Sequence, residues 1–234
     1  LRNVAELKSW TIDSVRGIVT VGAGVPYAEI ETGSLAEVLP SLAQASRTVG
    51  SPQIRAVGTI GGNLGTCSPA GDTLPVLAAL GATINIASAA GLRTSSFGDF
   101  MVGVKRNSLR DGEFVTSVDL PIVDGWQGYA KVGTRNAMVI STASACVVRD
   151  RANSRVSVAL GAVGPTIIRC TEASEWLSNQ VDVSSGTPTT ELIAEFASRC
   201  ADAARPITDH RSTADYRRHA VGVIVRRLTE RAFA

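Results

Sequence analysis

Histidine is scarce in this sequence, which has only two among 234 residues. His210 and His219 lie in a basic C-terminal stretch, and no group of metal-ligating residues surrounds either of them in the sequence. Asp209 and His210 could act as a carboxylate and the base that it orients, but such a pair is more typical of a solvated surface. The sequence therefore shows no set of residues for acid–base, nucleophilic or metal catalysis, and any chemistry is expected to come from a bound cofactor.

Cysteine is also sparse, and its spacing excludes several kinds of site. The four cysteines are Cys67, Cys146, Cys170 and Cys200, with no Cys-x-x-Cys pair among them. Zinc ribbons and iron–sulfur clusters need thiolates at close, recurrent spacings, so neither is expected within this chain. Isolated cysteines are typical of small buried side chains in a reducing compartment, which favours a cytoplasmic location.

The chain has little net charge and no uninterrupted hydrophobic span. Its formal net charge is +2, which gives no electrostatic footprint for nucleic acid or an anionic membrane. The longest uncharged run covers residues 73–92, but Pro75, Gly81, Asn85 and Ser88 interrupt it. This run predicts a short helix followed by a strand, so neither a membrane nor nucleic acid is expected as a partner.

Hydrophobic periodicity predicts a mixture of strands and helices before residue 121. A β-branched run at residues 18–21 predicts a strand. Three- and four-residue spacing predicts one helix that begins at Tyr27 and includes Leu35, Val38, Leu39 and Leu42. Residues 47–72, with six glycines and two prolines, break every periodicity and predict a long functional loop.

A turn-rich segment at residues 121–128 is the best candidate for a domain boundary. The elements predicted beyond it are a hairpin at residues 144–149 and 155–160, an amphipathic helix at residues 189–203 and a last helix that begins at Ser212 or Thr213. We therefore expect an α+β protein with two domains, residues 1–123 and 128–234.

Two glycine-rich stretches are candidates for binding a cofactor. Gly22-x-Gly24 follows a strand as a dinucleotide fingerprint would, but Tyr27 occupies the third glycine position, so a structural turn is favoured. The second stretch reads Gly58-Thr59-Ile60-Gly61-Gly62-Asn63-Leu64-Gly65. It could turn successive backbone N–H groups toward a pyrophosphate, or it could be a glycine-rich hairpin between strands.

Asp72 also has two interpretations. It could be the N-cap of a helix that begins at Thr73, with Pro75 in the first turn. Its carboxylate could instead accept hydrogen bonds from the sugar or polyol hydroxyls of a bound nucleotide.

The central motifs of the chain resemble a known family. Residues 53–63 read QIRAVGTIGGN and residues 68–75 read SPAGDTLP. Together with Gly112-Glu113, with YAKVG at residues 129–133 and with GAVGPT at residues 161–166, they closely resemble the FAD-binding medium subunit of molybdenum hydroxylases of the xanthine dehydrogenase and carbon monoxide dehydrogenase type. The resemblance covers essentially the whole chain.

The resemblance implies a vanillyl-alcohol-oxidase-like (PCMH-type) FAD-binding domain followed by a small α+β C-terminal domain of the CO dehydrogenase flavoprotein type. In this family, molybdopterin lies on a large subunit and two [2Fe-2S] clusters lie on a small subunit. Electrons reach FAD on the medium subunit and pass to NAD or another acceptor. The assembly is typically a dimer of heterotrimers.

The resemblance also implies a set of cofactor-binding residues. Gly58, Thr59, Ile60, Gly61, Gly62 and Asn63 would hold the pyrophosphate of FAD. Asp72 would bind FAD hydroxyls, Val49 and Val115 would line the flavin, and Lys131 would lie beside the isoalloxazine ring. The family's first glycine-rich pyrophosphate loop falls before the position matching Leu1, so residues 1–234 are expected to hold only part of the site. The full-length protein is expected to bind FAD, and residues 1–234 are expected to bind it weakly or not at all.

Three functions remain open at this point: a flavin electron-transfer subunit, a stand-alone flavoenzyme of the same fold, and an assembly module without flavin. A set of arginines gives the last helix a basic side, namely Arg217, Arg218, Arg226, Arg227 and Arg231. A solvated face is the favoured interpretation, and docking to a partner subunit is the alternative.

Overall fold

A computed structural model describes residues 3–234 of the chain. The strands are β1 (Trp10–Asp13), β2 (Ile18–Gly22), β3 (Thr83–Ser88), β4 (Gly91–Ser96), β5 (Met101–Gly103), β6 (Arg106–Asn107), β7 (Phe114–Pro121), β8 (Gly125–Val132), β9 (Ala143–Asp150), β10 (Arg155–Gly161) and β11 (Ile168–Arg169). The helices are α1 (Tyr27–Ile30), α2 (Gly33–Val38), α3 (Pro40–Arg47), α4 (Pro52–Val57), α5 (Ile60–Thr66), α6 (Leu74–Leu80), α7 (Phe97–Phe100), α8 (Thr171–Gln180), α9 (Thr190–Ala203) and α10 (Ala214–Ala232), with a 3₁₀ turn at Ala5–Lys8.

Two antiparallel sheets organise the molecule. The first has the order β1-β2-β7-β3-β4, and the second has the order β11-β10-β9-β8. The first sheet packs on one hydrophobic core, and the second sheet lies between two cores. Tyr129, Cys146 and Val148 of the second sheet belong to the first core, whereas Ala145 and Val147 belong to the core shared with α8, α9 and α10. The predicted α+β class is confirmed. Among residues 3–234, no helix combines the length and the apolar character that a membrane crossing requires.

The helix predicted to begin at Tyr27 is divided into α1, α2 and α3. Gly33 adopts a left-handed conformation with φ of 62°, and Pro40 begins α3 without a backbone donor. Leu35, Leu39 and Leu42 are nevertheless almost completely buried. The apolar spacing therefore identified the buried face correctly, but the prediction of one continuous helix was wrong.

The loop predicted at residues 47–72 contains two short helices, α4 and α5. Each one begins with a side-chain cap: Ser51 Oγ accepts from the Ile54 N–H at 3.3 Å, and Thr59 Oγ1 accepts from the Gly62 N–H at 3.1 Å. These caps satisfy N–H groups that lack a partner inside the helix. Local capping thus produced helices where hydrophobic periodicity gave no signal.

The second sheet matches the sequence more closely. The predicted hairpin is formed by β9 and β10, and Thr189 and Thr213 cap α9 and α10 through their hydroxyls. Strand β8 begins at Gly125, inside the segment predicted to be a connection. The four cysteines are free thiols, all buried, as expected for small core side chains.

Arg217 corrects the prediction of a solvated basic face. Its side chain is only 4% exposed. Its Nη1 donates to the carbonyls of Thr142 at 2.7 Å and Ala162 at 3.1 Å, and its Nη2 donates to Asp209 at 2.7 Å. Hydrogen bonds from the Arg211 backbone and the Arg217 guanidinium lower the pKa of Asp209 to about 2. Asp209 thus orients Arg217, and the chain uses this arginine to fix the start of α10.

Replacing Arg217 with Ala should destabilise the fold by roughly 3 kcal/mol, because two buried carbonyls and one carboxylate lose their donor. Urea unfolding followed by circular dichroism measures this loss. The matched control is R218A, since Arg218 is 42% exposed and pairs at 3.7 Å with an almost fully exposed Asp215. It should change stability by less than about 0.5 kcal/mol. Equal effects of the two variants would contradict a structural role for Arg217.

Candidate cofactor-binding site

A cavity of about 460 Å³ lies where β2 and β7 approach the start of α5. Its lining comes from the 3₁₀ turn, the loop after β2, the two capped helices and β7. The lining residues are Leu7, Lys8, Ala23, Gly24, Pro26, Ala56, Val57, Thr59, Gly61, Gly62 and Val115. Four of the ten predicted site residues, Thr59, Gly61, Gly62 and Val115, therefore meet at one cavity.

Gly61 and Gly62 have different physical roles in the floor of the cavity. A Cβ on Gly61 would lie 2.6 Å from both the Cβ and the carbonyl oxygen of Ala23, so this position needs glycine for close packing. A Cβ on Gly62 would meet only Thr59 Oγ1, at 3.4 Å. Gly62 therefore leaves open backbone surface toward the cavity.

The backbone donors of these glycines are already used within the chain. The Gly61 N–H donates to the Ala23 carbonyl at 3.0 Å, and the Gly62 N–H donates to Thr59 Oγ1 at 3.1 Å. The predicted nest of free N–H groups is therefore not formed by these two residues. These two glycines matter because they have no side chain, and not because they offer unused N–H donors.

The Gly22-x-Gly24 turn is structural, as predicted, and it also reaches the cavity. A Cβ on Gly22 would lie 2.3 Å from the Leu7 carbonyl oxygen, and the Gly24 N–H donates to that same oxygen at 2.7 Å. Both glycines let the 3₁₀ turn pack against the end of β2. Gly24 in addition lines the cavity.

The other predicted pyrophosphate residues are not part of the cavity lining. Ile60 is completely buried in the first core. The Gly58 N–H donates to the Ile54 carbonyl at 2.6 Å at the end of α4, so Gly58 ends that helix. Asn63 Oδ1 accepts from Thr73 Oγ1 at 2.7 Å, which holds the segment before α6. These three residues stabilise the loop without lining the cavity.

Asp72 and Lys131 belong to a second cluster, and Val49 follows one of its members, Thr48, in the chain. Asp72 Oδ1 accepts from Tyr129 Oη at 3.0 Å and from Ser141 Oγ at 2.6 Å, while Oδ2 accepts from Lys131 Nζ at 2.7 Å. The side chains of Asp72 and Lys131 are only 9% and 10% exposed. Asp72 does not cap α6, which begins after Thr73 with no side-chain cap. Its carboxylate instead joins the loop before α6 to β8 and to Ser141.

The ammonium of Lys131 is fully used within this cluster. Besides Asp72, its Nζ donates to the carbonyls of Thr48 and Val139, each at 3.0 Å. Thr48 immediately precedes Val49, a partly buried residue that packs against the first core. Three acceptors match the three donors of a lysine ammonium. Lys131 therefore ties α3 and the loop after β8 to Asp72.

Tyr129 completes the cluster as a permanent hydrogen-bond donor. Burial raises the pKa of its phenol well above the ordinary value, and the nearby negative charge of Asp72 raises it further. The phenol therefore keeps its proton throughout the ordinary pH range, which is the form that donates to Asp72.

Comparison with known proteins identifies this arrangement. A family model described as "FAD binding domain in molybdopterin dehydrogenase" matches residues 1–123, and one described as "CO dehydrogenase flavoprotein C-terminal domain" matches residues 129–232. The chain belongs to the family of FAD-binding medium subunits of molybdenum hydroxylases. The resemblance found in the sequence is thereby confirmed.

Individual relatives agree with the family assignment. The glyceraldehyde dehydrogenase medium chain of Sulfolobus acidocaldarius is 32% identical, covering 92% of this chain and 74% of the relative. The carbon monoxide dehydrogenase medium chain of Afipia carboxidovorans is 30% identical, covering 92% and 75%. A solved CO dehydrogenase chain from Oligotropha carboxidovorans superposes with a TM-score of 0.88 at 26% identity, covering 99% of this chain and 80% of that one.

The cavity of this medium subunit fits the cofactor that its family binds. Gly62 leaves room for a bulky group to approach the backbone closely, and Gly61 lets α5 pack on Ala23 at the edge of the cavity. Lys8 is the charged residue of the lining and has the sign that a pyrophosphate requires, while Ala56, Val57 and Val115 provide an apolar wall. FAD combines a doubly charged pyrophosphate with flat aromatic rings, so both parts of the lining suit it.

Several residues of the cavity and of the cluster around Asp72 were not predicted from the sequence. Lys8 and Val57 carried no motif, because their positions depend on how the 3₁₀ turn and α4 fold against β2. Tyr129 and Gln127 had a usable signal, since they alternate with Lys131 at every second position of β8. All three face the first domain, where Gln127 Oε1 accepts from Ser41 Oγ at 2.5 Å.

The Asp72–Lys131 pair should show strong coupling in a double-mutant cycle. D72N alone leaves a buried ammonium without its countercharge and should cost about 3 kcal/mol, and K131M should also destabilise the fold. The double variant D72N/K131M should lose less than the sum, with a coupling energy of about 2 kcal/mol in urea unfolding.

An exposed ion pair of the same protein provides the control for this cycle. Arg151 and Asp124 are 51% and 63% exposed at 3.0 Å, so D124N, R151M and their combination should couple by less than about 0.5 kcal/mol. Additive effects at Asp72 and Lys131 would show that their contact does not hold the two domains together.

Proposed function

We propose that this chain is the FAD-carrying electron-transfer subunit of a molybdopterin-dependent hydroxylase. When bound, FAD supplies electron exchange between [2Fe-2S] clusters on a small partner subunit and NAD or another acceptor. A large partner subunit carries the molybdopterin at which the substrate is hydroxylated, and the three subunits assemble as a dimer of heterotrimers. The observation that carries the proposal is the glycine-floored cavity inside the region matched by the FAD-binding family model.

The residues of the cavity contact different parts of the cofactor. Gly62 admits the pyrophosphate close to the backbone, Gly61 allows α5 to pack on Ala23, and Lys8 offsets the negative charge of the pyrophosphate. Thr59 keeps its hydroxyl proton free to donate, since its oxygen accepts from the Gly62 N–H. Ala56, Val57 and Val115 exclude water from the apolar side.

Asp72 and Lys131 have partners within the chain in addition to the cofactor contacts that the family resemblance implies. The Lys131 donors are used by Asp72, Thr48 and Val139, and the Asp72 carboxylate already accepts three hydrogen bonds. A carboxylate offers about four acceptor positions, so Asp72 retains one for a cofactor hydroxyl. We propose that the pair mainly fixes β8 and the segment around Val139 against the segment around Val49 in the first domain.

The substrate of the complex is set elsewhere. The relatives named above include a glyceraldehyde dehydrogenase and a carbon monoxide dehydrogenase, and a xanthine dehydrogenase FAD-binding subunit from Escherichia coli is 27% identical. One type of medium subunit thus accompanies very different substrates. We therefore propose an oxidoreductase whose specificity depends on the large subunit and not on a xanthine-specific feature of this chain.

The cofactor position can be tested with G62D in the full-length protein produced with its partner subunits. The added carboxylate projects toward the cavity, where it excludes and repels the pyrophosphate, while the Cβ itself has room. FAD released from the purified complex should fall roughly tenfold or more relative to wild type. The matched control is G65D on the same helix, because a Cβ on Gly65 meets nothing within 4 Å and Gly65 lies outside the cavity lining.

The possible results distinguish the three functions. Wild-type FAD content in G62D would refute the cofactor position. A wild-type complex without flavin would refute the proposed function and favour an assembly module. Flavin in a chain that binds no iron–sulfur partner would favour a stand-alone flavoenzyme. Circular dichroism of both variants checks that any loss of FAD is not a loss of fold.

A further inference from the structure

A groove of about 340 Å³ lies between the end of β8 and the outer side of α10. Strand β8 is an edge strand, paired only with β9 in its sheet. It contributes Ala130 and Val132 to the groove, and α10 contributes Val223 and the half-exposed ring of Tyr216. The groove thus has an apolar floor that remains open to solvent.

Four residues with basic side chains line the groove. They are Lys131, His219, Arg227 and Arg231, and the lining contains no aspartate or glutamate. Lys131 is neutralised by Asp72 within the cluster described above. The available positive charge therefore comes from Arg227 and Arg231, which are both exposed. His219 lies eight residues before Arg227, nearer the start of the helix.

Ion pairing separates these two arginines from the others on α10. Arg217 pairs with Asp209, Arg218 with Asp215 and Arg226 with Glu230. Within residues 3–234, Arg227 and Arg231 make no ion pair. They also stand four positions apart on one face, where like charges destabilise an isolated helix slightly. The helix therefore keeps two unpaired cations beside an apolar groove.

We infer that this groove docks a segment of a partner subunit in which aspartate or glutamate alternates with apolar side chains. The carboxylates pair with the guanidinium groups of Arg227 and Arg231, and the apolar side chains cover Val132, Val223 and Tyr216. The inference rests on the proposed function, since it requires a partner subunit. It names the partner's chemistry and the face of this chain that receives it.

The inference is tested by comparing two double variants in the complex with the partner subunits. R227Q/R231Q removes the unpaired cations, and R218Q/R226Q removes two arginines that already have partners on α10, so both lose the same charge. Sedimentation velocity at increasing NaCl gives the Kd for the partner subunits. The first variant should raise Kd tenfold or more and flatten its dependence on salt, whereas the second should change Kd less than about twofold.

A cross-linking experiment gives an independent measurement. R227K/R231K keeps the charge and supplies amines, which carbodiimide joins directly to carboxylates in contact with them. Mass spectrometry should find a link from position 227 or 231 to an aspartate or glutamate of a partner subunit. R218K/R226K serves as the control and should give links only within α10.

Each outcome bears on a different claim. If the wild-type chain forms no complex, the proposed function fails. If the complex forms but R227Q/R231Q leaves Kd unchanged and R227K/R231K gives no partner link, the docking inference fails while the function stands. If the chain alone sediments as a dimer that R227Q/R231Q dissociates, the occupant is a second copy and the assignment to a partner subunit is wrong.

Discussion

The buried ion pair between Asp72 and Lys131 is the polar contact that fixes β8 against the segments around the first core. Taking both charges out of water is costly, and the cost is offset only if every remaining donor and acceptor is satisfied. Tyr129 and Ser141 satisfy the carboxylate, and the carbonyls of Thr48 and Val139 satisfy the ammonium. Because the network tolerates little displacement, it fixes β8 against α3 and the loop before α6.

The candidate cavity depends on close backbone packing more than on special side chains. Gly22 and Gly24 let the 3₁₀ turn pack on the end of β2, and Gly61 lets α5 pack on Ala23. These contacts bring Lys8 and Val57 to the same space as Gly62. A chain with few aromatic residues can build such a site, because glycine positions set how near a ligand approaches the backbone.

The arginines of α10 show how one composition feature serves several purposes. Arg217 is enclosed and holds two carbonyls, Arg218 and Arg226 pair along the helix, and Arg227 and Arg231 face an apolar groove. Charge count along the helix could not separate these roles. To distinguish these roles, one must know which way each arginine side chain points relative to the sheet. That direction is set by tertiary packing.

The sequence by itself determined the α+β class, the hairpin of β9 and β10, the capped helices α9 and α10, and the family, because these depend on local spacing or on contiguous motifs. Among the residues that the family resemblance implied, Thr59, Gly61, Gly62 and Val115 share one cavity. The sequence could not show that residues 47–72 form α4 and α5, that Asp72 pairs with Lys131 across 59 positions, or that Lys8 joins the glycines. Those features were decided only by the tertiary structure, since each depends on contacts between segments far apart in the chain and on which polar groups become buried together.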